Sequence, residues 1–325
     1  MQCKYRIVCV SGRILDCVDI LKDTLNTENV EKNLKKVSTG SIGIGSLRKI
    51  PTKKGLTMFK RTLYLLVLMF AVGAANAATY KLGIVPQMKA EELVKRWQPI
   101  IDELKKQGID VKFVGAPSIP EFEDRLKKGE YDLAYMNPYH FLVANKRQGY
   151  KPVIRDHGNA LKGILVVPKT SEIKSVKELS GKPMAFPAPN ALGASLLMRA
   201  ELAQKEGVKV SPKYVKTHSA VYRNVAYGGA AAGGGVLRTF NEQPDEVKSR
   251  LKIVYETSKV SPHPLAAHPR VPQAVVDKIR ETFLKMGQDA KGKEILAQVP
   301  IKQVGEANLE DYKALDDLGL EMFAK

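Results

Sequence analysis

The residues best placed to do chemistry lie in one run, Pro187-Ala188-Pro189-Asn190-Ala191-Leu192-Gly193-Ala194-Ser195. It stands between an apolar, strand-like stretch (Pro183 to Phe186) and a helical one (Leu196 to Glu206). Each proline fixes its own φ and keeps its predecessor out of the α region, so the chain enters extended. Asn190 is then a natural N-cap, and Ala191, Leu192, Gly193 and Ala194 fall in the first helical turn. First-turn N–H groups have no intrahelical partner and sit at the positive end of the helix dipole. Three of the four side chains are small or absent, so an anion can approach those amides closely, with Ser195 offering a hydroxyl nearby. The alternative is an ordinary capped turn whose small residues only pack.

Other candidates carry similar pairs of readings. His218, in Thr217-His218-Ser219 at a helix start, can donate to an anion or serve as a capping or core histidine. Tyr222 and Arg223, one turn on, fit a cleft wall or a core tyrosine beside a solvated arginine. Tyr135, Asn137 and Tyr139 present polar tips on mostly aromatic bodies, or are structural. The run Gly228 to Gly235 allows close backbone approach by a ligand or tight packing of a central strand. It lacks a following Lys-Ser/Thr and is no P-loop. His263 and His268 are five apart among prolines, a poor spacing for a helical metal pair, and read as hinge or surface residues.

Catalytic signatures are missing. There is no Gly-x-Ser-x-Gly elbow and no His-Glu-x-x-His. The three cysteines, Cys3, Cys9 and Cys17, all lie before residue 58. Without them the remainder has no disulfide, thiolate metal site or cysteine nucleophile. No catalytic residue, metal site or cofactor is assigned.

Positioning these groups falls to alternating strands and helices. Tyr80 to Val85 reads as a buried strand, and Ala90 to Gln107 as a helix with Leu93, Trp97, Ile100, Ile101 and Leu104 on one face. Val111 to Val114 and Tyr131 to Met136 read as strands, with helices at 120–128, after a Ser118-x-x-Glu121 capping box, and at 138–148, opened by Pro138. Beyond Gly163 to Val167 the order repeats, with helices at 191–206 and 219–227 and strands at 230–236 and 251–255. Helices at 272–287, 290–297 and 308–318 follow, enough to return over the first half. This order predicts an α/β chain of two lobes with largely parallel sheets.

Upstream, Met58-Phe59-Lys60-Arg61, the apolar run Leu63 to Val72 and Ala75-Asn76-Ala77 form the pattern of a signal peptide cleaved after Ala77. Its apolar core is shorter than the ~20 residues of a spanning helix. Residues 1–57 read as an extension from a mis-assigned start, the alternative being a cytoplasmic tail ahead of an uncleaved anchor. The whole chain carries +18; residues 78–325 carry 39 basic against 29 acidic groups, a net +10. The basic residues are dispersed and no basic patch is interleaved with aromatics, which argues against nucleic acid. A moderately positive field favours small anions.

In order along the chain, Lys-Leu-Gly-Ile-Val-Pro, Tyr-Asp-Leu-Ala-Tyr-Met-Asn-Pro-Tyr, Lys-Gly-Ile-Leu-Val-Val, Phe-Pro-Ala-Pro-Asn and Thr-His-Ser-Ala-Val-Tyr resemble the periplasmic substrate-binding components of phosphonate, phosphite and phosphate ABC importers. The resemblance covers 79–325. It implies a type II periplasmic binding protein fold, each lobe a mostly parallel sheet flanked by helices, joined by two hinge crossovers. Lobe 1 is expected at 78–162 plus 262–325 and lobe 2 at 163–261. It implies a small oxyanion held at the lobe-2 turn, Asn190, Ala191, Leu192, Gly193, Ala194 and Ser195, with His218 on the next turn. The Tyr135–Tyr139 region, with Asn137, would face it from lobe 1, and Tyr222 would line the cleft. A run of hydroxyl residues after Pro-Asn in phosphonate binders is here Ala191-Leu192-Gly193. A tyrosine near Ala116-Pro117 is replaced by Ile119, and the acid that holds a substrate ammonium is missing at Ala230–Gly235. The expected partners are a small anionic ligand and a membrane permease, or a membrane receptor kinase in a sensory variant. The protein is expected to be a periplasmic monomer that meets the membrane only through that partner. A bilobed enzyme is the remaining class.

Overall fold

Two sheets, each flanked by helices, account for residues 78–325, the part of the chain that the computed structural model describes. The expected extension (1–57) and signal segment (58–77) lie outside the described residues. Among the described residues no helix is long and apolar enough to cross a membrane.

The first sheet contains β1 (Tyr80–Ile84), β2 (Val111–Phe113), β3 (Leu133–Tyr135) and β4 (Lys151–Asp156), with α1 (Ala90–Lys106), α2 (Ile119–Lys127) and α3 (Pro138–Gln148) between them. Helix α1 turns Leu93, Trp97, Ile100, Ile101 and Leu104 inward, the spacing of a 3.6-residue period. Ser118 caps α2 by accepting from the Glu121 N–H; Glu121 does not reach back, because its carboxylate takes Arg125. Gly149 ends α3 at φ +73, in the left-handed region that glycine tolerates.

The second sheet contains β5 (Gly163–Pro168), β6 (Pro183–Phe186), β7 (Ser211–Tyr214), β8 (Ala232–Val236) and β9 (Leu251–Glu256). A π-helical turn (Leu192–Leu196) runs directly into α4 (Leu197–Gln204), and α5 (His218–Ala226), α6 (Leu237–Asn241) and α7 (Asp245–Lys248) follow. The chain then returns to the first sheet with β10 (Leu265–Ala267), α8 (Gln273–Met286), α9 (Ala290–Ala297), β11 (Val304–Glu306) and α10 (Glu310–Lys313). The helix expected over 308–318 is broken: α10 stops at Lys313 and 3-10 turns continue at Asp316–Leu318 and Leu320–Met322. Tyr312, Leu315 and Leu320 pin these turns to the body one by one, and Gly319 takes φ +58 between them.

Both sheets are mixed, not mostly parallel. The order in the first is β11-β4-β10-β3-β1-β2 and in the second β7-β6-β8-β5-β9. Parallel pairs are those delivered by strand–helix–strand units: β1 with β2 and β3, and β6 with β7 and β8. Strand β10 arrives from the other sheet, slides between β3 and β4, and is antiparallel to both. Strand β5 likewise enters antiparallel to β8 and β9. The two crossing segments meet at Leu161 and Val260, which exchange both backbone hydrogen bonds, at 2.9 and 3.0 Å. One apolar cluster bridges the two sheets, joining Val85, Ile119, Phe122 and Phe141 to Ala191, Leu192, Ala194 and Val236.

Candidate functional site

Strand β6 ends at Phe186, and Pro187-Ala188-Pro189 carries the chain out to the turn. Asn190 is not its cap. The residue before the helix is Ala191, at φ −67, ψ 95, with no side-chain cap. The Asn190 amide is used elsewhere: Nδ2 donates to Glu123 Oε1 (2.9 Å) and to the Lys325 carbonyl (2.7 Å), and Oδ1 accepts from the Lys325 N–H. Its carbonyl accepts from Asn137 Nδ2 at 3.0 Å. The Ala191 carbonyl accepts from both the Ser195 (2.7 Å) and Leu196 (3.2 Å) amides, widening the first turn to π geometry. Among the described residues the Leu192, Gly193 and Ala194 amides donate no hydrogen bond.

Glycines let this turn sit on the sheet. A Cβ at Gly163 would collide with the Gly193 carbonyl, and one at Gly234 with the Ala194 carbonyl and the Phe186 ring. The turn therefore leans its carbonyl side on β5 and β8. The glycine run of β8 serves packing here: Gly233 makes room for Val221 and Val225, and Gly235 for the Tyr222 ring.

His218 opens α5, whose cap is Thr217, accepting from the Ala220 N–H at 3.1 Å. Its imidazole is buried, and burial pushes its pKa down to about 4, so it is neutral near pH 7. Nδ1 lies 3.2 Å from Thr239 Oγ1. Nε2 has no hydrogen-bond partner among the described residues, and His218 lines a cavity. Tyr222 lies behind that wall instead of lining it. Its hydroxyl accepts from the Val236 N–H (3.0 Å) and sits 2.9 Å from the Val236 carbonyl and 2.8 Å from Thr239 Oγ1.

The cavity is bounded by Ala191, Leu192, Gly193, Ala194, His218 and Val236 from the second sheet's side. From the first come Val85, Gln87, Ile119, Asn137 and His263, with Leu161 from the crossing segment. No Asp, Glu, Lys or Arg lines it. It encloses about 10 Å³, room for roughly one water centre. A tetrahedral oxyanion enters only if the two walls part. Of the remaining sequence candidates, Asn137 lines the cavity but its amide is engaged with Asn190 and His140. Ser195 is buried behind the turn, accepting from Arg199 Nε at 3.2 Å. Tyr139 is half-buried against the apolar cluster and does not line this cavity. Tyr135 stands in a neighbouring cavity, its ring 4.8 Å from Trp97 and 5.6 Å from His263 between centroids.

The sequence reading missed three polar residues. His263, read as hinge or surface, is buried, and burial together with His140 and His218 pushes its pKa down to about 3. Gln87 Nε2 lies 3.3 Å from His263 Nε2; an amide nitrogen only donates, which places the ring proton on Nδ1. Thr239 sits in α6, where no motif marks it. The neighbouring cavity, about 20 Å³, shares Val85 and Gln87 with the first and adds Arg96, Trp97, Arg238 and Thr239 to its walls. Among the described residues no group of His, Cys, Asp and Glu is arranged to hold a metal ion.

Residues 82–312 match the family described as "ABC transporter, phosphonate, periplasmic substrate-binding protein". The chain belongs to this family. The family's role is to bind the substrate of an ABC importer, and two lobes with a cleft are its type II periplasmic binding protein fold. The chain is 26% identical over 238 residues to the "Phosphate-import protein PhnD" of Mycolicibacterium smegmatis, an alignment covering 66% of this chain and 73% of the relative. Among solved structures it resembles PhnD1 from Prochlorococcus marinus in complex with methylphosphonate, with TM-score 0.68 and 20% identity over 76% of this chain and 99% of the other. A binding protein component of an ABC phosphonate transporter from Pseudomonas aeruginosa gives TM-score 0.67 and 17% identity, over 75% and 86%. At these identities the structural likenesses speak for the fold.

Proposed function

We propose that this protein captures a small phosphonate-, phosphite- or phosphate-like oxyanion in the cleft between two lobes, 78–162 plus 262–325 and 163–261, and presents it to an ABC permease. The observation that carries the reading is one wall of the first cavity. There the unpartnered amides of Leu192, Gly193 and Ala194 and the free Nε2 of His218 face the same space. Backbone amides and a helix start suit an anion without needing a cation. Gln87 and His263 supply polar groups from the opposite wall. Each hydrogen bond to a charged oxygen contributes about 1.5–3 kcal/mol. A ligand that touches both walls only when they are closed shifts the population toward the closed form. The protein binds and releases its ligand unchanged, works as a monomer, and is exported by cleavage after Ala77.

Thr239 holds His218 Nδ1 so that Nε2 points at the ligand. The hydroxyl has one proton. It has the Val236 carbonyl in reach at 3.0 Å and Nδ1 at 3.2 Å. A bound oxyanion favours the arrangement in which it goes to Nδ1, because Nε2 then carries the ring proton and donates to a ligand oxygen.

The test is calorimetric titration of residues 78–325 with phosphate, phosphite and methylphosphonate, alongside fluorescence of Trp97, the single tryptophan of the chain. Saturable one-to-one binding of at least one of them, weakened at least ~10-fold by His218→Ala, is expected. Absence of binding by all three would refute the reading.

A further inference from the structure

The second cavity holds charge that the first lacks. Its only charged wall residues are Arg96, from α1, and Arg238, from α6. They come from opposite sides of the cleft and meet on one carboxylate oxygen. Arg96 Nη1 lies 2.8 Å and Arg238 Nε 2.9 Å from Glu242 Oε1. All three side chains remain partly exposed, between 22% and 31%, so the pairing sits at a mouth and not in a core. Arg238 also donates to the Gln298 carbonyl, at 3.0 Å, and Arg96 keeps a second partner, Glu92, one turn back on α1.

The two cavities adjoin. Val85 and Gln87 wall both. Thr239, in the second, is hydrogen-bonded to His218, in the first. Between the arginines and the shared wall the surface is apolar and aromatic, made by Trp97, Tyr135, Val299 and Pro300. A ligand whose oxyanion occupies the first cavity would thus run a short hydrocarbon link over this surface and end beside two guanidiniums.

We propose that Arg96 and Arg238 form a second anion seat that takes the carboxylate of a carboxyalkylphosphonate, and that the Glu242 side chain fills this seat until the ligand displaces it. The proposal rests on the oxyanion reading of the first cavity and names the substrate class that the whole cleft would accept. A single planar carboxylate is the group that the seat already holds, and a cavity of about 20 Å³ leaves little space for a bulkier one. Charge favours the exchange. With Glu242 in place, two arginines face two carboxylates, Glu92 and Glu242; with Glu242 swung away, the seat is left one positive charge in excess. Glu242 lies on an exposed rim, so releasing it to water carries a small cost. An aminoalkylphosphonate would place its ammonium against two guanidiniums and is disfavoured.

The experiment uses calorimetry with methylphosphonate, phosphonoacetate and its neutral isostere phosphonoacetamide, on the wild type and on Glu242→Gln and Arg238→Met, with melting curves for each. Phosphonoacetate is expected to bind more tightly than phosphonoacetamide to the wild type. Glu242→Gln should raise the phosphonoacetate affinity by about 10-fold while moving methylphosphonate less than ~2-fold, and Arg238→Met should remove the preference for the acid over the amide. Equal binding of the acid and amide by the wild type overturns the proposal, and this arm needs no variant to fold. So does a Glu242→Gln effect that is the same for all three ligands. If methylphosphonate binds and phosphonoacetate gains nothing, the second seat fails alone. If phosphate, phosphite and methylphosphonate all fail to bind, the first-cavity reading fails, and the second seat with it.

Discussion

Lowering the pH should destabilise this protein through His218 before most of its carboxylates titrate. Burial sets the His218 pKa at about 4 in the folded chain, against an ordinary value of ~6.5 in the unfolded one. The unfolded state therefore binds more protons below pH 6.5, and stability falls as the pH drops from there toward 4. At pH 5 an unfolded imidazole is protonated in about 97% of molecules and the folded His218 in about 9%, a difference of about 2 kcal/mol from this one residue. His263, at about 3, adds a similar amount over the same window. For a chain of this size about 2 kcal/mol corresponds to roughly 4–8 °C in melting temperature. The assay is thermal melting of residues 78–325 between pH 7.5 and 5, for the wild type, His218→Gln and His263→Gln. Each substitution should recover about half of the histidine-dependent loss, whatever it does to stability at pH 7.5. If His218→Gln falls as steeply with pH as the wild type does, the imidazole is not held neutral by burial and the account of that wall is mistaken.

Further outcomes follow from the same geometry. Gly193→Val, a change that the sequence alone marks as steric toward a ligand, should weaken oxyanion binding by at least ~10-fold. It should also cost about 1–3 kcal/mol of stability, because a Cβ there already lies 3.2 Å from Val236 Cγ1 and 3.4 Å from both Leu161 Cδ1 and the Gly163 nitrogen, before the two methyls are added. Melting curves beside the titration separate the two effects. Gly234→Ala should push the turn off the sheet through the Ala194 carbonyl and weaken binding without touching the cavity, a loss that calorimetry reads directly. Asn137→Ala leaves the Asn190 carbonyl without its donor, at a cost of about 1–3 kcal/mol, and should open the cleft, as small-angle scattering would show by a larger radius of gyration. 2-Aminoethylphosphonate should bind no more tightly than methylphosphonate in calorimetry, because the charged side chains that wall the second cavity are the guanidiniums of Arg96 and Arg238 and the one carboxylate beside them both, Glu242, is already paired with each.

Much of the fold is legible in the sequence because its signals are local. The 3.6-residue stripe of α1, the Ser118 cap of α2 and Pro138 at the start of α3 are each set by neighbours within a few positions. The short strands β4, β10 and β11 are not marked in this way. They are three to six residues long and owe their place to a chain that changes sheets, so their direction depends on partners more than a hundred residues distant. Asn190 is the instructive miss at the site. Its type suits a cap, but Glu123 and Lys325, 67 and 135 positions away, claim its amide, and the turn opens on Ala191 instead. His218 is legible as a polar group at a helix start; Thr239, whose hydroxyl lies 3.2 Å from its Nδ1, is a lone threonine in an unmarked helix. Gln87 and His263 become neighbours only because β10 returns beside β3, bringing the segment before it to the end of β1.

The central claim is that three backbone amides at the head of the π turn hold the oxyanion. Amide ¹H–¹⁵N spectra of the protein titrated with methylphosphonate, phosphite or phosphate test this most directly. Leu192, Gly193 and Ala194 should show the largest downfield proton shifts, saturating with the calorimetric binding curve, while Ser195 and Leu196, already bonded to the Ala191 carbonyl, should move less. Saturable binding that leaves the Leu192, Gly193 and Ala194 resonances in place would contradict the account.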